Sequence, residues 1–198
     1  MTRRDRCLVS LSLAIAGMLA MACSLPRPST VPVRMIEPQF TETQSANGAA
    51  GAASLRLMET QTRGHIGRRL LHQLDGGELQ EDAVWRWSSA PDRYLDSALR
   101  LAVAARPYVR VVESGNVPAL GLTLISFYVD AASGSRLVAA VEIEVVGVDR
   151  VIQTAVIRGE EALSGEPPGN LAQAAGRLLQ RLAADALGRA LQRGGERP

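Results

Sequence analysis

Residues 84–107 constrain the fold more than any other part of the chain, because they combine the end of a strand with a complete amphipathic helix. Trp85 and Trp87 lie two residues apart, so they share one face if this segment is a strand. Apolar residues then recur at helical spacing. They are Tyr94, Leu95, Ala98, Leu99, Ala102 and Val103. The pattern predicts a strand followed by a helix that buries one stripe against a sheet.

The predicted helix has recognisable start and stop signals. Ser89 is suited to the N-cap, and Asp92 three residues later completes an approximate capping box. Pro91 falls in the first turn, where a missing N–H costs nothing. Pro107 ends the helix, because the residue before a proline disfavours the α conformation.

The remaining periodicity predicts an α+β fold. Residues 68–74 and 79–87 form a hairpin, and 120–130, 137–148 and 151–159 form an antiparallel meander with tight turns. A last helix begins at Asn170 and carries a long apolar stripe. We therefore expect a two-layer sandwich, in which an antiparallel sheet is covered on one face by two amphipathic helices. The other face is expected to remain open to solvent or to a partner.

The first residues resemble a lipoprotein leader rather than part of the fold. A basic start precedes an apolar run at 7–21, which is of signal-peptide length and short for a membrane span. Residues 20–23 then read Ala-Met-Ala-Cys, where small side chains suit signal peptidase and Cys23 supplies the thiol for lipid. We expect a signal peptide at 1–22, a lipidated cysteine and tether at 23–32, and a periplasmic domain at 33–198. Secretion with cleavage after Ala22 and no lipid is the alternative.

Cysteine usage agrees with an anchor. Cys7 would leave with the signal peptide, so Cys23 would be the single cysteine of the mature chain and no internal disulfide would form. Ser24 follows it instead of an aspartate, which favours the outer membrane, at its periplasmic face, over retention in the inner membrane. The proline- and serine-rich tether reaches roughly 25–30 Å from Cys23 to Val31 when extended.

Composition and motifs argue against an enzyme. A net charge of +2 is too small to indicate nucleic-acid binding. No group of Cys, His and carboxylate residues has metal-ligand spacing, so neither a metal nor a cofactor is expected. Phosphate-binding glycine loops and the G-x-S-x-G nucleophile motif are also lacking. His72 lies on a predicted strand and is interpreted as a surface or strand-pairing residue.

The strand–helix segment at 84–107 also carries a family resemblance. Arg86-Trp87, a short polar step, Pro91 and the amphipathic helix are similar to a motif of the ABC-type transport auxiliary lipoprotein family, that is, the PqiC-like proteins. The likeness extends over residues 55–100 and more loosely to the C-terminus. The motif residues Arg86, Trp87 and Pro91 are interpreted as structural. Trp85, Arg86 and Trp87 also suit an interaction hot spot, and that alternative stays open.

The resemblance implies a function in envelope transport. The chain would be an outer-membrane lipoprotein that assists an ABC- or MCE-type system for lipids or other hydrophobic solutes by docking. Its partners would be an MCE-type periplasmic protein, an ABC permease and ATPase, and the membrane through the anchor. A homo-oligomer around a conduit is a further arrangement. The alternatives are an activator lipoprotein of a peptidoglycan synthase, which should have a longer tether, and a hydrolase with an unfamiliar site.

Three charged residues are candidates for partner contacts. Glu142 and Glu144 alternate with apolar residues on one predicted strand, so both should point away from the helices. Arg69 lies at the start of the predicted hairpin, at the end of a basic segment covering 63–69. A general acid–base pair of the two glutamates is conceivable, but solvated strand positions explain them equally well.

Overall fold

The computed structural model describes residues 31–41, 53–132, 135–149, 152–164 and 168–195. The predicted signal peptide, Cys23, most of the tether and most of the loop at 43–54 lie outside these residues. From residue 33 onward the described residues belong to one compact unit, Val33–Pro198.

Nine strands and two helices make up the described part of this unit. The strands are β1 Arg34–Ile36, β2 Ala53–Leu57, β3 Gln61–Thr62, β4 Arg69–Gln73, β5 Leu79–Trp87, β6 Val109–Val111, β7 Ala119–Asp130, β8 Arg136–Val146 and β9 Ile152–Ala162. The helices, numbered here in chain order, are α1 Pro91–Ala104, between β5 and β6, and α2 Gly169–Gly195, after β9.

Strand β7 is the centre of the sheet. On one side it pairs antiparallel with β8, and β8 pairs antiparallel with β9, as the meander predicted. On the other side β2, β3 and β4 pair with successive parts of β7, and all three run parallel to it. The sheet is therefore mixed, and the expectation of a purely antiparallel sheet was wrong. A parallel pair requires a crossover connection, and α1 lies in the chain between β4 and β7.

Helix α1 begins differently from the prediction. Its N-cap is Ala90 in an extended conformation, and no side chain caps it, so the proposed roles of Ser89 and Asp92 as a capping box were wrong. Pro91 does occupy the first turn, and it pushes the residue before it out of the α region. The backbone N–H of Ser89 instead donates to the Tyr94 hydroxyl at 2.6 Å.

Both helices belong to one apolar core with the sheet. The α2 stripe is buried as predicted, and Leu178, Leu179 and Leu187 have no exposed surface. A buried aromatic cluster joins the sheet to α1. Trp87 is 1% exposed, and its ring lies 4.9 Å from Phe127 and 6.4 Å, edge-on, from Tyr94. The α+β two-layer class is thus confirmed.

Candidate functional site on the open sheet face

The face of β7, β8 and β9 that points away from the helices is a long regular surface that no described helix covers. Strand alternation separates it from the core. The register of the strands places alternate residues on it. They are Gly121, Thr123, Ser126 and Tyr128 on β7, Val138, Ala140, Glu142 and Glu144 on β8, and Ile152, Thr154, Val156, Arg158 and Glu160 on β9. We call this surface the open face.

The two candidate glutamates lie at the middle of the open face. Glu142 is flanked by Thr123 and Val156, and its carboxylate lies 3.6 Å from the guanidinium of Arg63. Glu144 is flanked by Gly121 and Thr154. Their side chains therefore point away from the helices, as the alternation on β8 predicted.

The glycine beside Glu144 makes room for a neighbouring side chain. A Cβ added to Gly121 would lie 3.2 Å from the Met58 Cε atom, so Met58 packs directly on this backbone. The result is a small apolar surface next to a carboxylate. Such a mixture is suited to contact with a protein partner.

An ion-pair network covers one end of the open face. The Glu160 carboxylate accepts a hydrogen bond from Arg136 Nη1 at 3.2 Å, and its Oε1 atom lies 3.8 Å from Arg158 Nε. Arg158 also donates to the Tyr128 hydroxyl at 3.3 Å. Beneath these side chains Val138 is only 1% exposed, although it lies on the open face. This end of the face is therefore already covered by its own side chains, and the free surface lies towards Glu144.

The β9 side of the open face is apolar and exposed. Ile152 and Val156 are 60% and 58% exposed, and Val148 in the preceding turn is 48% exposed. Among the described strands β9 pairs only with β8, so its outer backbone groups are available for pairing with another chain. Sequence reasoning missed this edge, because it assigned Val156 and Ile152 only to a generic returning strand.

The remaining candidate residues lie at the other end of the sheet. Arg69 on β4 pairs in register with Arg86 on β5, so the two lie side by side. Arg69 forms an ion pair with Glu81, which lowers the pKa of the Glu81 carboxyl and raises that of Arg69. Arg86 donates to the carbonyl of Trp85 at 2.9 Å and to that of Asp82. The strand order separates this pair of arginines from Glu142 and Glu144, so the candidates form two sites rather than one.

The other family-motif residues point into the protein. Trp87 belongs to the aromatic cluster, and Pro91 is buried in the first turn of α1. Of the three motif residues only Arg86 is partly accessible to solvent, and it is half-buried. Cys23, the proposed lipidation site, lies outside the described residues.

A partly buried carboxylate shapes strand β5, and sequence reasoning missed it. Asp82 Oδ1 accepts from the backbone N–H groups of Val84 at 2.7 Å and Trp85 at 2.8 Å, and Oδ2 lies 2.8 Å from His72 Nε2. Burial raises the pKa of Asp82, but these hydrogen bonds outweigh it and hold the pKa below its ordinary value. An aspartate inside a strand pattern was the available signal.

A shallow groove between the helices is too small to define a ligand site by itself. It encloses about 230 Å³ and is lined mainly by alanines of α1 and α2, with Leu101, Arg106 and Gln180. Among the described residues no cluster of His, Cys, Asp and Glu could hold a metal ion. Within the same residues, none of the helices is long and apolar enough to span a bilayer.

The comparisons with known proteins show the fold. No family model and no curated protein matches the chain. The structure is similar to that of protein XCC0632 from Xanthomonas campestris, described as DUF330, with a TM-score of 0.68, 18% identity, and coverage of 81% of this chain and 96% of that one. An uncharacterised protein matches with a TM-score of 0.54, 11% identity, and coverage of 79% and 98%.

A third similar structure is the hypothetical protein CT253 from Chlamydia trachomatis. Its TM-score is 0.51 at 9% identity, and the match covers 71% of this chain and 95% of that one. At such identities the likeness concerns architecture alone.

Proposed function

We propose that this chain is a lipid-anchored periplasmic protein that assists an ABC- or MCE-type envelope transport system for lipids or other hydrophobic solutes. It acts by docking rather than by catalysis, and its anchor is a lipid on Cys23 at the periplasmic face of the outer membrane. The Ala-Met-Ala-Cys sequence at 20–23 and Ser24 support the anchor and its membrane. The likeness of Arg86-Trp87, Pro91 and α1 to the ABC-type transport auxiliary lipoprotein family supports the transport function.

The open face is the observation that carries this proposal. It spans strands of eleven and twelve residues, and both helices pack on the opposite side. Its free part combines the carboxylates of Glu142 and Glu144 with the exposed apolar side chains of Ile152 and Val156. An anchored domain with such a face can bind an MCE-type protein through the carboxylates at the middle of the face and the apolar side chains along β9.

Photo-crosslinking in intact envelopes tests the docking surface. A photoreactive residue at position 144 should capture an MCE-type protein or a permease subunit of the transport system. The same residue at Asp185, which is exposed on the outer side of α2, should not. Equal capture from both positions would contradict docking through the open face.

The identity of the captured protein distinguishes this proposal from its main rival. An activator of a peptidoglycan synthase would have the same anchor and would also act by contact. Recovery of a peptidoglycan synthase from position 144, without any MCE or permease subunit, would favour the rival. A probe at Arg69 extends the test to the other end of the sheet.

A further inference from the structure

The end of the sheet where the chain enters has a row of basic and apolar side chains. Strand β1 pairs parallel with β5, so Met35 is adjacent to Arg86, and Arg86 is in turn adjacent to Arg69 on β4. Arg68 extends to the same place, with its Nη2 atom 4.0 Å from Met35 Sδ. We call Val33, Met35, Arg68, Arg69 and Arg86 the basic edge.

The apolar members of the basic edge are unusually exposed. Val33 and Met35 expose 53% and 54% of their surface, whereas Ile36, the neighbour of Met35 in β1, is 2% exposed and belongs to the core. Strand alternation accounts for the difference. About half of each side chain therefore lies in water, next to the arginines of the edge.

The charge of the basic edge is predominantly positive. Arg69 is paired with Glu81, but within the part of the chain that the structure describes no ion pair engages Arg68 or Arg86. Arg34, one residue before Met35, lies over the ring of Trp85 at 5.5 Å. Arg68 and Arg69 are exposed, whereas Arg86 is half-buried and its guanidinium donates to backbone carbonyls. The edge therefore offers the guanidinium groups of Arg68 and Arg69 beside exposed valine and methionine side chains.

The basic edge begins where the proposed tether ends, and the inference rests on that proposed anchor. Val33 follows Cys23 by ten residues, so even a fully extended chain holds the two within about 35 Å of each other. A lipid on Cys23 would thus keep the edge close to a phospholipid surface. One lipid anchor with a basic surface gives more durable membrane binding than the anchor alone.

We infer that the basic edge contacts the anionic phospholipid headgroups of the membrane that holds the anchor. Guanidinium groups form paired hydrogen bonds with phosphates, while Val33 and Met35 enter the boundary between headgroups and acyl chains. Each arginine close to an anionic surface strengthens the association by about fivefold. The β9 edge, with the similarly exposed Ile152 and Val156, lies at the opposite end of the strand order and remains free for a protein partner.

Oxidation of methionine tests this contact without any partner protein. The chain from Cys23 onward contains two methionines, Met35 on the basic edge and Met58 beside Gly121. Cys23 is coupled to a maleimide lipid in vesicles, and this lipid replaces the natural anchor. The anionic vesicles contain phosphatidylethanolamine and phosphatidylglycerol, and the neutral vesicles contain phosphatidylcholine alone. The rates of sulfoxide formation by peroxide are then measured for both residues by mass spectrometry.

We expect Met35 to be oxidised several-fold more slowly on the anionic vesicles than on the neutral ones, with Met58 unchanged. High salt should remove the protection, because it screens exposed charges. The double variant R68Q/R69Q should also remove it, whereas R56Q/R110Q, which changes two exposed arginines outside the edge, should not.

Equal oxidation of Met35 on both kinds of vesicle would overturn the inference, as would protection of Met58 to the same extent. Because no transport protein is present, neither result bears on docking through the open face. Conversely, a failure of crosslinking from position 144 would leave the methionine result intact.

Discussion

Trp87 is the side chain through which strand β5 contacts both α1 and β7, by way of Tyr94 and Phe127. Replacing it with alanine would leave a cavity where three elements meet. Trp87→Ala should therefore lower the free energy of unfolding by about 3–5 kcal/mol, measured by urea denaturation. Trp85→Ala is the matched control and should cost less, because Trp85 is only partly buried.

A different result would assign Trp87 to function. If Trp87→Ala unfolds at the same urea concentration as the wild type and loses partner binding, its indole belongs to an interface. The hot-spot interpretation of the Trp85–Trp87 segment would then replace the structural one.

Gly176 permits a very close backbone approach to helix α2. A Cβ added there would lie 1.7 Å from the carbonyl oxygen of Gln39. The backbone N–H of Gln39 also donates a hydrogen bond to the carbonyl of Ala172 on α2. Because the obstructing atom is backbone, the segment after β1 would have to move. Gly176→Ala should destabilise the protein by about 1–3 kcal/mol in thermal or urea unfolding.

Gly188 provides the control for this substitution. It lies about three turns further along α2. There the nearest atom to an added Cβ is the Arg106 Nη2 at 4.0 Å. Gly188→Ala should be neutral or stabilising by up to about 1 kcal/mol, since alanine favours a helix over glycine. Equal destabilisation by both alanines would refute the close contact at Gly176.

At the scale of elements, the sequence predicts the features that depend on the periodicity of apolar residues, namely which face of a strand or helix is buried. The alternation of β8 correctly placed Glu142 and Glu144 on the face away from the helices, and the stripe of α2 identified its buried side. The two-residue strand β3 is too short to show any period. Its parallel pairing with β7, like that of β2 and β4, depends on the path of the chain through α1, which local patterns do not encode.

The candidate site was predictable only in part for the same reason. Glu142 contacts Arg63, which directly follows β3, and Glu160 on β9 contacts Arg136 on β8. Both contacts depend on strand register, which packing and turns determine. The cap of α1 illustrates a second limit. Ser89 fits an N-cap by sequence, but the Tyr94 hydroxyl provides its backbone N–H with another partner, and Pro91 fixes the helix start without a side-chain cap.

Asp82 on β5 makes a pH-dependent contribution to stability. The pKa of Asp82 is depressed in the folded protein, so its stabilising effect is complete above the ordinary value of 3.8 and is lost as pH falls through the folded pKa. Asp82→Ala should cost about 1–3 kcal/mol at neutral pH. The difference from wild type should shrink below pH 3.8, which urea denaturation across acidic pH measures.

Arg100→Ala is a suitable control for this experiment. Its ion pair with Asp96, at 2.7 Å along one exposed turn of α1, is of the kind that contributes little. A constant stability difference for Asp82→Ala from neutral to acidic pH would contradict the assigned charge state.

At the scale of the whole molecule, the proposed anchor on Cys23 would decide where the domain acts. Cys23→Ala removes the only thiol at the predicted processing site. In a Gram-negative host the variant should accumulate as uncleaved precursor, and labelling with a fatty-acid analogue should disappear. Cys7→Ala, within the predicted signal peptide, should be labelled like the wild type. Undiminished labelling of Cys23→Ala would refute the lipoprotein assignment.

The parallel alignment of β2, β3 and β4 along β7 also determines the order in which the chain can fold. Arg56 pairs beside Ala119 and His72 beside Val129, so each contact joins residues about sixty positions apart. The proposed export from the N-terminus would deliver β2, β3 and β4 across the membrane well before β7, the strand with which they pair. We therefore expect β2, β3 and β4 to remain unstructured, exposed to proteases and dependent on chaperones, until β7 emerges. We also expect the domain to fold slowly for its size.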